Sequence, residues 1–361
     1  MGDPAEAVVT DEEASGATGT GAAAVGEDED DRDGDEATAS LGETVDVAAV
    51  RPVEGRTAGI RADEPWAEAG RTVLRFHLAR MLSHVPGVIA GEDPEEVHAM
   101  RVAARRMRAA WRVFGDGFER DAMRRYRGEL RDIGARLGVV RDLDVLIGIL
   151  LAYGRERSAR QRTGLEPLLA AWSDERAARL VDLVEALGSE GFAGFIGDYE
   201  AFAQTPGLAA RVVPPQAPGL VRYRMPATIW GAYQDVWAFD DDLADADLAT
   251  FHRLRIAAKW LRYALEFVRE PLEPEATALI RLVVALQDHL GDQHDLHGAA
   301  VLAREFAMST TLTRAQEKAI AKFVAHLDLG VERLGRTFGS TWRPVADPSY
   351  RRSLGRAIAR L

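Results

Sequence analysis

At 361 residues the chain can hold one large or two medium domains, and its formal charge of −12 is unevenly spread. Residues 1–65 carry 18 Asp and Glu against 4 Arg, a net of −14, which leaves 39 acidic and 41 basic groups, a net of +2, for residues 66–361. The absence of cysteine excludes disulfides and thiol chemistry, no apolar run reaches the roughly 20 residues of a membrane span, and no basic segment leads an apolar core as in a secretory signal, so a cytoplasmic protein is expected.

Residues 1–65 read as a disordered acidic tail, rich in Gly, Ala and Thr, with Glu27 to Glu36 almost entirely charged. From Trp66 the pattern turns helical: Val73, Leu74, Leu78, Met81 and Leu82 recur at helical spacing up to Pro86-Gly87. Asp93-Pro94-Glu95-Glu96 then starts a helix, with Asp as N-cap, Pro at the first position and acids in the first turn, which ends near Gly115-Asp116-Gly117. Further helices are predicted at about 119–136, 142–160, 164–187 and 190–203. Residues 205–226 hold five prolines and two glycines without periodicity and read as a linker between a first half (66–204) and a second half (227–340). The second half predicts helices at about 227–239, 245–269, 274–289, 293–308 and 313–336, followed by a short basic tail over 341–361 with a helix near 348–361. No segment alternates with period two, so no sheet is expected.

One basic block occurs twice. His98-Ala-Met-Arg101-Val-Ala-Ala-Arg105-Arg106-Met-Arg108 is answered by His252-Arg-Leu-Arg255-Ile-Ala-Ala-Lys259-Trp-Leu-Arg262, 154 residues later. A second element follows each copy: Leu137-Gly138-Val-Val-Arg141-Asp142-Leu143-Asp144, then Leu290-Gly291-Asp-Gln-His294-Asp295-Leu296-His297. Two elements in the same order indicate an internal duplication.

At about 100° per residue, His98, Arg101, Arg105, Arg108 and Arg112 share an arc of about 80°, with Met107, Ala110, Trp111 and Phe114 opposite. His252, Arg255, Lys259 and Arg262 form the matching stripe, and the next helix adds Arg120, Arg124, Arg127 and Arg131. Like charges four residues apart repel by a few tenths of a kcal/mol, so stripes of one sign point to an anionic partner. Acids of neighbouring helices, such as Asp132, Asp142, Asp144 and Asp295, are the competing partners, and each histidine is equally a capping or packing residue. Of the 45 basic residues only Lys259, Lys318 and Lys322 are lysines; a GC-rich genome gives this excess of arginine, and so does a need for bidentate phosphate contacts. A linear polyanion suits aligned cations because each contacted phosphate releases counterions. No base-reading module is recognisable, which makes nucleic acid a poor fit.

His289, Asp292, His294, Asp295 and His297 crowd together, and His294 with His297 is an i,i+3 pair able to ligate one ion. The first copy has Arg141 and Asp144 at those two places, so no metal is assigned.

The two blocks, their order and the continuation Arg262-Tyr263-x-x-Glu266 with Leu286-Gln287-Asp288-x-Leu290-Gly291-Asp292 resemble the CHAD family, the conserved-histidine α-helical domain, over about residues 66–340. The resemblance implies an all-α fold of two four-helix-bundle-like halves, related by a pseudo-two-fold, around a basic groove or pore. It further implies non-catalytic binding of inorganic polyphosphate, free or in granules, without a cofactor. Carried over by position, the binding set is His98, Arg101, Arg105, Arg106, Arg108, Arg141, His252, Arg255, Lys259 and Arg262, to which the cationic stripes add Arg112, Arg127 and Arg131. The competing readings are a metal-dependent phosphohydrolase and a scaffold or nucleic-acid-binding protein. Two departures make the second half less basic: Trp260 answers Arg106, and His294 answers Arg141.

Overall fold

A computed structural model describes residues 57–361, without the side chains of residues 242, 244 and 245. The expected acidic tail therefore lies largely outside the described residues. The helices are α1 (Trp66–Ser83), α2 (Val85–Ala90), α3 (Pro94–Phe114), α4 (Arg120–Arg155), α5 (Ala159–Thr163), α6 (Glu166–Leu187) and α7 (Glu190–Gln204), then α8 (Val221–Trp237), α9 (Leu248–Phe267), α10 (Arg269–Leu272), α11 (Glu275–Ser309), α12 (Arg314–Thr337), α13 (Gly339–Ala346) and α14 (Pro348–Ile358). Among the described residues there is no strand, only two isolated bridges, Pro65 with Leu220 and Phe118 with Ala210. The fold is all-α.

The two block-bearing helices begin alike. The Asp93 carboxylate accepts the Glu95 N–H at 2.9 Å at the start of α3, and Asp247 accepts the Thr250 N–H at 2.7 Å at the start of α9. Each cap satisfies one of the donors a helix N-terminus leaves open. Asp247 follows Asp93 by the 154 residues that separate the blocks.

Three expectations are corrected. The paired helices foreseen at 119–136 and 142–160 are one 36-residue helix, α4, and those at 274–289 and 293–308 are one 35-residue helix, α11. Gly138 and Gly291, which fall in the gaps between the predicted helices, sit mid-helix although glycine costs a helix about 1 kcal/mol. The linker ends earlier, since α8 starts at Val221 and carries Pro226 inside it. At the chain's ends, Ile60 is buried rather than part of a tail, and α13 and α14 bury Trp342, Val345, Tyr350, Leu354 and Ala357.

The interior divides across the chain order. A large core joins α1, α3, α7, α8, α9, α13 and α14 with the first parts of α4 and α11. A smaller one joins the last parts of α4 and α11 with α6 and α12, through Leu146, Leu150, Leu168, Ala299, Ala303, Ile320 and Phe323. The two long helices thus run through both cores, and neither half of the sequence has an interior of its own. Behind α3, Trp111 donates to the Tyr199 hydroxyl at 2.7 Å within a cluster including Phe118, Tyr126 and Phe202. That cluster fixes the apolar side of α3 and so aims its cationic side.

Candidate functional site

Helix α3 packs on α4 and on α9, and α11 packs on α9 and on α4, so the four helices that carry the repeated elements close a ring. Within it the two copies make matching contacts. An added Cβ on Gly138 would lie 3.7 Å from Nε and Nη2 of Arg101, and one on Gly291 would lie 3.8 Å from Nε of Arg255. The glycine of each second element is thus a seat for the first arginine of the block before it. Gly134 lies likewise against Arg108, 3.6 Å from Nη1. Arg101 Nη1 is 3.5 Å from Asp142 Oδ1. Asp295, which answers Asp142, is influenced by Arg255, Arg101 and Asp142 together. Burial raises its carboxyl pKa above the ordinary value, Arg255 opposes this, and Asp142 adds to it. That a carboxylate of α11 feels charges on α3 and α4 places the two copies side by side.

The histidines follow the same plan. Burial lowers the pKa of His98, and Arg141, Arg105 and Arg101 reinforce the effect against Glu95. In the second copy His252 lies with its ring centroid 5.3 Å from that of His294, the residue answering Arg141. Arg141 also reaches Glu95 at 3.6 Å.

The seam between α3 and α9 is held by two contacts that exchange corresponding positions, 106 with 260 and 112 with 266. At one end Arg106 donates to Glu266 at 2.8 Å, and the same carboxylate accepts from Arg262 at 2.8 Å. Arg262 donates further to Gln287 at 3.3 Å. Burial pulls the Arg106 guanidinium pKa down and Glu266 opposes it. At the other end the Arg112 guanidinium lies 4.1 Å from the centre of the Trp260 ring, with Lys259 Nζ at 5.2 Å from the same ring.

The expected residues therefore fall into groups. His98, Arg101, Arg105, Arg108, Arg141, His252, Arg255 and Lys259 stand on the facing helices of the ring, and the buried Nε of Arg105 has no acceptor among the described residues. Arg106 and Arg262 are engaged by Glu266 within the α3–α9 seam, whereas Arg112 is exposed beside it. Arg127 and Arg131 are exposed on the first part of α4, where Arg131 is 3.8 Å from its neighbour Asp132. The acids named as competing partners divide too: Asp142 meets Arg101, while Asp144 is buried against Arg176 of α6 at 2.6 Å. Among the described residues no three His, Asp or Glu side chains gather as metal ligands. The seats at Gly138 and Gly291 are not legible in the sequence, because the arginines that fill them belong to other helices.

This is an all-α domain in which α3 and α9, the helices that bear the two cationic blocks, pack against each other. Residues 72–304 match the CHAD domain, and the chain belongs to that family. Two solved structures share its fold. The CHAD domain from the plant Ricinus communis is 24% identical, with a TM-score of 0.60, over 84% of this chain and 96% of its own. PptA from Streptomyces chartreusis is 19% identical, with a TM-score of 0.58, over 78% of this chain and all of its own. No curated protein matches the chain.

Proposed function

We propose that the ring of α3, α4, α9 and α11 binds inorganic polyphosphate, without catalysing its breakdown, in a cytoplasmic protein. The observation that carries the reading is the convergence of cations from both block copies on one ring. Matching contacts at offsets of 153 and 154 residues also support an internal duplication, and a repeated cationic surface suits a repeating anion. Each further phosphate engaged adds counterion release, so affinity grows with ligand length. A buried guanidinium N–H without an acceptor costs about 1–3 kcal/mol, which favours an acceptor brought by a ligand at Arg105.

Charge reversal tests this directly. Arg105→Glu and Lys259→Glu should each weaken polyphosphate binding at least tenfold in a calorimetric titration, with unchanged circular dichroism. Unfolding of either variant would show that its cation is a structural ion-pair partner instead.

A further inference from the structure

The two ends of the α3–α9 seam hold their cations by different forces. Arg106 and Arg262 share the half-buried carboxylate of Glu266. Ion pairs shielded from water are costly to break, because the released charge would remain desolvated. At the corresponding place on the other end Trp260 stands where the first copy has Arg106, and Arg112 stands where the second copy has Glu266. There the exposed Arg112 and the neighbouring Lys259 lie against an indole ring, 4.1 and 5.2 Å from its centre. A ring face attracts a cation without neutralising it, and at an exposed site the attraction is weak. A phosphoryl oxygen offers charge-assisted, bidentate hydrogen bonds that a ring cannot.

We infer that Trp260 is a positioning residue for the polyanion: its indole holds Arg112 at the ring's edge, already ordered, and yields it to phosphoryl oxygens when a chain arrives. The inference rests on the polyphosphate reading. It divides the arginines of the seam into a fixed end, Arg106 and Arg262, and a recruitable end, Arg112. The substitution of a tryptophan for the block's arginine, which looks like a lost charge in the sequence, then becomes a gain: a cation on α3 is kept ordered without a carboxylate to compete with the ligand. Holding a long side chain in place before binding removes part of the ordering cost of association.

The test is a titration of the full chain with long-chain polyphosphate, read by tryptophan fluorescence and by calorimetry. We expect a fluorescence change in the wild type that is absent in Trp260→Phe. Trp260→Ala and Arg112→Ala should each weaken binding by about three- to tenfold, and the double variant should be no weaker than Arg112→Ala alone, because the two residues act as one unit. Trp260→Phe, which keeps a ring face, should recover most of the affinity lost in Trp260→Ala. Wild-type affinity in Trp260→Ala, or losses that multiply in the double variant, would overturn the inference while leaving polyphosphate binding in place. Absence of binding by the wild type would overturn both.

Discussion

Arginine does several unrelated jobs in this chain. Arg71 is buried, donates to the carbonyls of Phe202 and Leu208, and lies 4.6 Å from the Phe202 ring centre; it ties the end of α7 to α1. Arg176 is held by Asp144. The cations of the ring differ from these in standing on the helices that carry the repeated blocks. Beside the seam, His77 is buried, its Nδ1 has no hydrogen-bond partner among the described residues, and burial, with Arg106 and Arg80 adding to it, lowers its pKa to about 3. In the unfolded chain a histidine titrates near 6.5, so below that pH the unfolded state takes up a proton the folded state refuses. His77 should therefore cost the fold stability as pH falls from about 6.5 toward 3, by about 1.4 kcal/mol per unit at most. Denaturant melts at pH 6.5 and 4.5 check this: the wild type should lose about 1 to 3 kcal/mol more than His77→Leu over that interval. Equal losses would mean that another group sets the acid sensitivity.

At the scale of the helix, the repeated glycines have a definite consequence. A Cβ at Gly138 would just touch the Arg101 guanidinium, so alanine fits and a larger side chain displaces it. Gly138→Ala should stabilise α4 by about 0.5–1 kcal/mol with polyphosphate affinity kept, since glycine is the poorer helix former. Gly138→Leu should weaken binding about tenfold through Arg101; equal affinities for the two variants would show that the seat does not position the cation. These glycines also mark the limit of what could be read in advance. The cationic stripes of α3 and α9, the Asp93 cap and the absence of sheet all follow from spacing and local chemistry. The continuity of α4 and α11 does not: a glycine inside a helix looks like a terminus until the side chain that fills its space is known, and Arg101 and Arg255 come from other helices. Arg106 was partly legible, because it falls outside the arc shared by His98, Arg101, Arg105, Arg108 and Arg112, but its partner Glu266 is 160 residues away. The burial of Ile60 and of the apolar sides of α13 and α14 depends likewise on distant parts of the chain, which short segments do not encode.

For the molecule as a whole, charge is divided between an N-terminal region with a net of −14 over residues 1–65 and a remainder with a net of +2 whose cations are gathered into stripes. A tethered acidic segment acts at an effective concentration of order millimolar when its linker can reach. If the tail competes with polyphosphate, removing residues 1–56, which spares the buried Ile60, should tighten binding at low salt and converge with the full chain at high salt. Unchanged affinity at every salt concentration would assign the tail to solubility alone. The central claim is that many aligned cations, contributed by both copies, act on one linear anion. It is tested most directly by calorimetric titration of the full chain with long-chain polyphosphate, ATP, orthophosphate and RNA over a range of salt. Polyphosphate should bind tightly, with an affinity that falls steeply with salt, ATP and orthophosphate should bind weakly, and RNA should not displace polyphosphate. Equal affinity for ATP and the long chain, or displacement by RNA at comparable phosphate concentration, would contradict it.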